Sequence, residues 1–242
     1  MSDKSKKGDV DITKTEVVEG KVNSFLDTYK YVLIAVGVAI LVAVITLIIV
    51  DTVRSNNLEK AFDKIDQLES TYSQVMALDK TTDDYKTKYS DLKSQLESMS
   101  KGKTYPALKA QYLLATMAYD DKDYETAKTG FYAIYEASKQ TYLGSLSLTN
   151  AAVAAEDSGD DATALEYYTK VWDEYQTTAA EAPKALFNQG RLEQKKGDVT
   201  LAKATFQQLI DQFHNSEYAK LAKNHRGDVV RIIPNQGKGR AA

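Results

Sequence analysis

Two histidines, His214 and His225, are the side chains best suited to ligate a metal or move a proton near neutral pH. A metal pair on one helix needs its rings three or four residues apart. These two lie eleven apart across a predicted helix break, so both are expected at the surface. The acidic pairs Asp83-Asp84, Asp120-Asp121 and Asp160-Asp161 fall at predicted loops and helix starts. There a carboxylate caps free backbone N–H groups and complements the helix dipole. General acid–base catalysis would instead need two carboxylates converging in a cleft. Gly237-Lys238-Gly239-Arg240 is too short for a phosphate loop, and no strand or following helix frames it. Gly-x-Ser-x-Gly does not occur. With no cysteine, disulfides, thiolate metal sites and cysteine nucleophiles drop out together. The chemistry-bearing residues therefore predict a non-enzyme, without catalytic, metal or cofactor residues, whose work is binding.

The charge balance narrows the partner. Lys and Arg number 31 against 34 Asp and Glu, a net charge of −3, which lacks the basic excess that nucleic-acid phosphates require. Only 3 prolines and 12 glycines interrupt 242 residues, which favours long helices.

One segment stands apart. Tyr31 to Val50 reads YVLIAVGVAILVAVITLIIV, twenty residues without a charge. At about 1.5 Å per residue this helix spans about 30 Å, the hydrocarbon thickness of a bilayer. Lys30 and Asp51 bound it, and Tyr29 and Tyr31 suit the headgroup interface. The run exceeds the apolar core of a cleaved signal peptide, and DTVRSNN after it lacks a small-x-small cleavage site. An uncleaved signal-anchor is predicted, and without cysteine a lipidated anchor is not available. Lys4, Lys6, Lys7, Lys14, Lys21 and Lys30 precede the span, whereas only Arg54, Lys60 and Lys64 follow it before Ser70. That bias puts residues 1–30 in the cytoplasm and the large C-terminal part outside.

Beyond the span the elements are helical. Leu58, Phe62, Ile65, Leu68, Tyr72 and Val75 step by three and four, as do Tyr85, Tyr89, Leu92, Leu96 and Met99 after a polar break at Asp79 to Asp84. The pair predicts an antiparallel hairpin over residues 51–102 that packs onto the helices following it. No Pro or Gly interrupts Leu41 to Met99, so the first helix can run directly out of the span. From residue 103 to 226 three segments repeat: Ala118 to Ile134, Ala155 to Val171 and Glu193 to Leu209. Each places an Asp (Asp123, Asp160, Asp198), an Ala four residues later (Ala127, Ala164, Ala202) and an aromatic four beyond (Phe131, Tyr168, Phe206). Alanine spacings of 37 and 38 with no strand signal mean stacked helix pairs. Gly159 and Gly197 suit a left-handed helix end, and the next Asp suits an N-cap. Lys122 replaces that glycine in the first repeat, which predicts a looser turn. The tail, 227–242, loses periodicity; Val229 to Ile233 is expected to cap the last repeat, with the rest disordered. The fold class is all-α: one N-terminal transmembrane helix and an α-solenoid.

These repeats resemble the tetratricopeptide repeat (TPR). Leu114-Ala115 and Leu186 with Gly190 match its large-then-small positions, whereas Ala151-Ala152 matches only the small one. IDQFHNSEYAKLA (210–222) is similar to the junction between units in envelope proteins of this family, with His214 where Pro is usual. The resemblance implies a concave groove lined by first helices, through Tyr112, Thr116 and Tyr119, then Thr149, Val153 and Glu156, then Phe187, Arg191 and Lys195. Packing of these aromatics between repeats fits the spacing equally well. The Lys/Asn clamp for a terminal carboxylate is absent. The whole layout, with KTYPALKAQYLLATMAYDDKDYETA at 103–127, resembles the ancillary SecYEG translocon subunit family (YfgM-like). That resemblance implies an inner-membrane protein with a periplasmic TPR domain, associating with SecYEG and a PpiD-like membrane-anchored chaperone. An envelope-assembly or cell-division scaffold and a cytosol-facing TPR receptor remain open alternatives, as does the oligomeric state.

Overall fold

The structure is a computed structural model that describes residues 9–232, and the side chains of Glu19 and residues 21–225. Within them lie nine α-helices and no strand. They are α1 (Asp9–Met76), α2 (Asp83–Met99), α3 (Tyr105–Asp120), α4 (Tyr124–Ser138), α5 (Tyr142–Asp157), α6 (Asp161–Tyr175), α7 (Ala182–Lys196), α8 (Val199–Gln212) and α9 (Glu217–Ile232). A 3₁₀ turn, Gln176–Thr178, links α6 to α7. The chain divides into two compact units at Ala61 and Phe62.

In the first unit every described side chain from Lys21 onward is exposed except Ala61, and the apolar run Tyr31 to Val50 is helical throughout. Among the described residues one helix is long and apolar enough to cross a membrane, and this is it.

The second unit is a stack of hairpins whose cores interlock. Ile65, Leu68 and Val75 of α1 bury against Leu92 and Leu96 of α2 and Ala110, Leu113 and Met117 of α3. Lys64 Nζ donates to Gln95 Oε1 at 2.6 Å, which with the short loop after Met76 makes α1 and α2 antiparallel. The expected spacer hairpin thus shares one core with the first repeat. A second core joins α3, α4 and α5 around Phe131 and Ile134, a third joins α4 to α7 around Tyr135 and Tyr168, and a fourth joins α7 to α9 around Phe206. Each large side chain buried this way contributes about 1.5–3 kcal/mol. The repeat signature is the core: Ala127, Ala164 and Ala202 are fully buried, and the aromatics four residues later are nearly so. The small residues let helices approach closely. A Cβ on Gly190 would meet the Phe206 ring at 2.7 Å.

The three intra-repeat turns are superimposable in their hydrogen bonds. Asp123, Asp160 and Asp198 each donate N–H to the carbonyl five residues back at 2.9 Å (Ala118, Ala155, Glu193), and the residue before each reaches three back. This double closure requires a left-handed residue. Gly159 and Gly197 supply it at φ 85° and 96°, and Lys122 adopts φ 63°. The looser turn expected at Lys122 is therefore corrected: the bonds force a lysine into the glycine conformation. Asp123 and Asp160 accept from the N–H of Thr126 and Thr163, as N-caps should. Asp198 holds the N-cap position without such a bond.

The C-terminal end also departs from expectation. α9 continues past Arg226 to Ile232, where an aperiodic tail was expected from Gly227. Gly227 weakens a helix but does not stop it; the first obligatory stop is Pro234, which disfavours helix in the residue before it. The expected capping contact of Val229 to Ile233 and the end of the chain lie outside the described side chains.

Candidate protein-binding face

The first helices of the three repeats, α3, α5 and α7, contribute to one cavity of about 320 Å³. Tyr112, Thr116, Tyr119 and Asp120 of α3 line it, with Phe131 of α4 behind them. Asn150 and Val153 of α5 and Lys184 of α7 complete the lining. Four of the nine residues expected in a groove, Tyr112, Thr116, Tyr119 and Val153, are brought together here.

Each is held by its neighbours. The Tyr112 ring meets Phe131 edge-on at 5.4 Å, and its hydroxyl accepts from Asn150 Nδ2 at 2.7 Å. Burial pushes the Tyr112 phenol up. Thr116 donates its hydroxyl to the Tyr112 carbonyl at 2.9 Å, one turn back in α3. Tyr119 packs edge-on against Tyr124 and donates to the Asp157 carboxylate. Burial first, then that carboxylate, raises the Tyr119 phenol well above its ordinary value. Asp120 accepts the Tyr72 hydroxyl at 2.8 Å; Tyr89 in turn donates to Asp121 at 2.6 Å. Asp120-Asp121 thus sits at the end of α3 and receives tyrosines, and it caps no helix start.

The other five candidates are placed elsewhere. Thr149 is fully buried, with its hydroxyl on the Ser145 carbonyl at 2.9 Å. Phe187 is 9% exposed and sits among Phe206, Tyr218 and His225 at 5.4–6.0 Å between ring centres. Both point inward because α5 and α7 are enclosed by neighbours on more than one side. Glu156 and Arg191 form an ion pair across repeats, with Arg191 Nη2 2.5 and 2.6 Å from the two carboxylate oxygens. Lys195 pairs with Asp161 at 2.5 Å. These three charged side chains are engaged with each other's repeats and bolt the stack together.

His225, expected at the surface, is half-buried, its ring stacked 5.8 Å from that of Phe206. Tyr218, Ala222 and His225 step by four and three and so share the inner side of α9. His214 is exposed in the α8–α9 turn. Sequence reasoning missed Asn150, Lys184, Asp120 and Phe131 in the cavity. Asn150 was legible as the polar neighbour of Thr149 one step around the helix, and Lys184 as the first cation after Pro183 opens α7.

Residues 184–216, covering most of α7 and all of α8, match the tetratricopeptide repeat family. The chain is also similar to a TPR repeat-containing protein of Treponema pallidum (strain Nichols), at 29% identity over 135 residues, 54% of this chain and 52% of that one. The chain therefore spans about half the length of the curated relative it matches. Fold, repeat register and both similarities support a tetratricopeptide repeat protein, a class that mediates protein–protein interaction and is generally non-enzymatic.

Proposed function

We propose that this chain is a membrane-anchored TPR adaptor that holds a polypeptide partner against the face shared by α3, α5 and α7. The observation that carries this reading is the cavity itself, to which first helices of all three repeats contribute. Tyr112 and Tyr119 in its walls are preset by hydrogen bonds to a neighbouring helix, so little ordering of the protein's own side chains opposes binding. The apolar stretch Tyr31 to Val50 supports the anchor, since its side chains are exposed and water is a poor solvent for them. The lysine excess before the span supports a cytoplasmic N-terminus and a periplasmic repeat unit in a bacterial inner membrane. The resemblance of the layout favours SecYEG and a PpiD-like anchored chaperone as partners.

Two measurements test the proposal. Alkaline phosphatase fused after Ala242 is expected to be active; activity only of a cytoplasmic reporter at that position reverses the orientation. Crosslinking in native membranes with mass spectrometry is expected to recover Sec components. Recovery of division or outer-membrane assembly proteins without them would replace the translocon with an envelope scaffold.

A further inference from the structure

The cations of the repeat helices are unequally engaged. Arg191 is held by Glu156 and Lys195 by Asp161, Lys109 of α3 by Glu69 at 2.6 Å, and Lys128 of α4 by Glu125 at 2.9 Å. Lys184 lines the cavity and is half-buried, yet among the described residues it has no carboxylate within ion-pair distance. A positive charge brought partly out of water without a partner is a standing site for an anion. Asn150 spends one N–H on the Tyr112 hydroxyl, which leaves its carbonyl and second N–H for a main-chain amide. Phe131, Tyr112 and Val153 supply apolar wall. Asp120, already holding the Tyr72 hydroxyl, repels a second carboxylate from its own position, so an acid in the cavity is directed to Lys184.

We infer that the cavity takes an extended polypeptide segment in which an acidic side chain stands next to an aliphatic one. The carboxylate lies on Lys184 Nζ, the aliphatic group lies against Tyr112, Phe131 and Val153, and the main chain pairs with the Asn150 amide. This rests on the reading of the face as a polypeptide-binding surface and specifies which polypeptides it prefers.

The test uses the full chain in lipid nanodiscs and three fluorescein-labelled peptides that share Gly-Ser flanks around Leu-Xaa-Leu, with Xaa Asp, Asn or Lys. Fluorescence anisotropy is expected to rank Asp over Asn by roughly five- to tenfold, the scale of one charge-assisted hydrogen bond, with Lys weakest. Added salt is expected to shrink the Asp preference. K184Q should erase the Asp–Asn difference, K184R should retain it, and K184E should move the preference to Lys. Circular dichroism melts of the variants verify that the fold is intact. Binding without an Asp preference, or an Asp preference that survives K184Q, overturns the inference and leaves the binding face standing. No binding by any of the three peptides removes the binding face, and this inference with it.

Discussion

Lys122 sits in a conformation that L-residues with a Cβ avoid, at φ 63°, and the turn around it closes with the same bonds as the glycine turns. The left-handed region costs a non-glycine residue roughly 1 kcal/mol. Lys122→Gly is therefore expected to stabilise the repeat unit by about 1 kcal/mol in chemical denaturation, offset slightly by the freer unfolded chain. The caps give a matched comparison. Asp160→Ala removes the bond to the Thr163 N–H and should cost about 1 kcal/mol, whereas Asp198→Ala, where no such bond exists, should cost clearly less. Equal losses at the two positions would show that backbone geometry rather than the side-chain bond matters there. At this scale the sequence was readable wherever one position has one task. Asp four residues before a buried Ala and eight before a buried aromatic identified three turns and their cores. Lys122 misled because hydrogen bonds on both sides of a turn can hold an unfavourable residue in place, and propensity is a local quantity.

Between helices the stack is held by tyrosines as much as by aliphatic packing. Tyr135 of α4 donates to both oxygens of Glu174 of α6 at 2.7 Å, Tyr72 of α1 donates to Asp120, Tyr89 of α2 to Asp121, and Tyr119 of α3 to Asp157. Burial first, and then the acceptor carboxylate, raises each of these phenols above the ordinary 10.0. Unpartnered and buried, the Tyr175 hydroxyl is pushed up to about 12. The folded chain keeps protons that the unfolded chain releases near pH 10, so stability falls as pH rises beyond that value. The thermal midpoint is expected to be flat from about pH 7 to about pH 9 and to drop above about pH 10. Tyr135→Phe should blunt part of that drop; an unaltered alkaline profile would separate the phenols from the transition. Elements were legible from three- and four-residue steps; of the cavity lining, Tyr112, Thr116, Tyr119 and Val153 were legible from the repeat register and the rest was not. A helix in a solenoid has neighbours on two or three sides, so Thr149 and Asn150 are adjacent in sequence yet one is core and the other lines a cavity. Nothing in a single stripe of apolar residues ranks those sides; Phe187 takes the inter-repeat packing that fitted its spacing as well as a groove did, and His225, expected at the surface, is half-buried for the same reason.

At the scale of the molecule, all four buried cores found among the described residues draw on residues between Ile65 and Ala222, and none of their members lies in the first unit. Solenoid stability is a sum of neighbour interfaces, so residues 62–242 expressed alone are expected to be helical and to unfold cooperatively. The full chain should stay with membranes after carbonate extraction, while the shortened chain should be released; release of both would contradict an anchor at Tyr31 to Val50. The central claim is that partners are held on the face shared by α3, α5 and α7, and a photocrosslinking residue placed in it tests this most directly. In native membranes, p-benzoylphenylalanine at Val153 is expected to give discrete protein adducts, and at Leu201 of α8, exposed and outside the cavity lining, none. Adducts at Leu201 with none at Val153 would contradict the account and put the working surface on the second helices of the repeats.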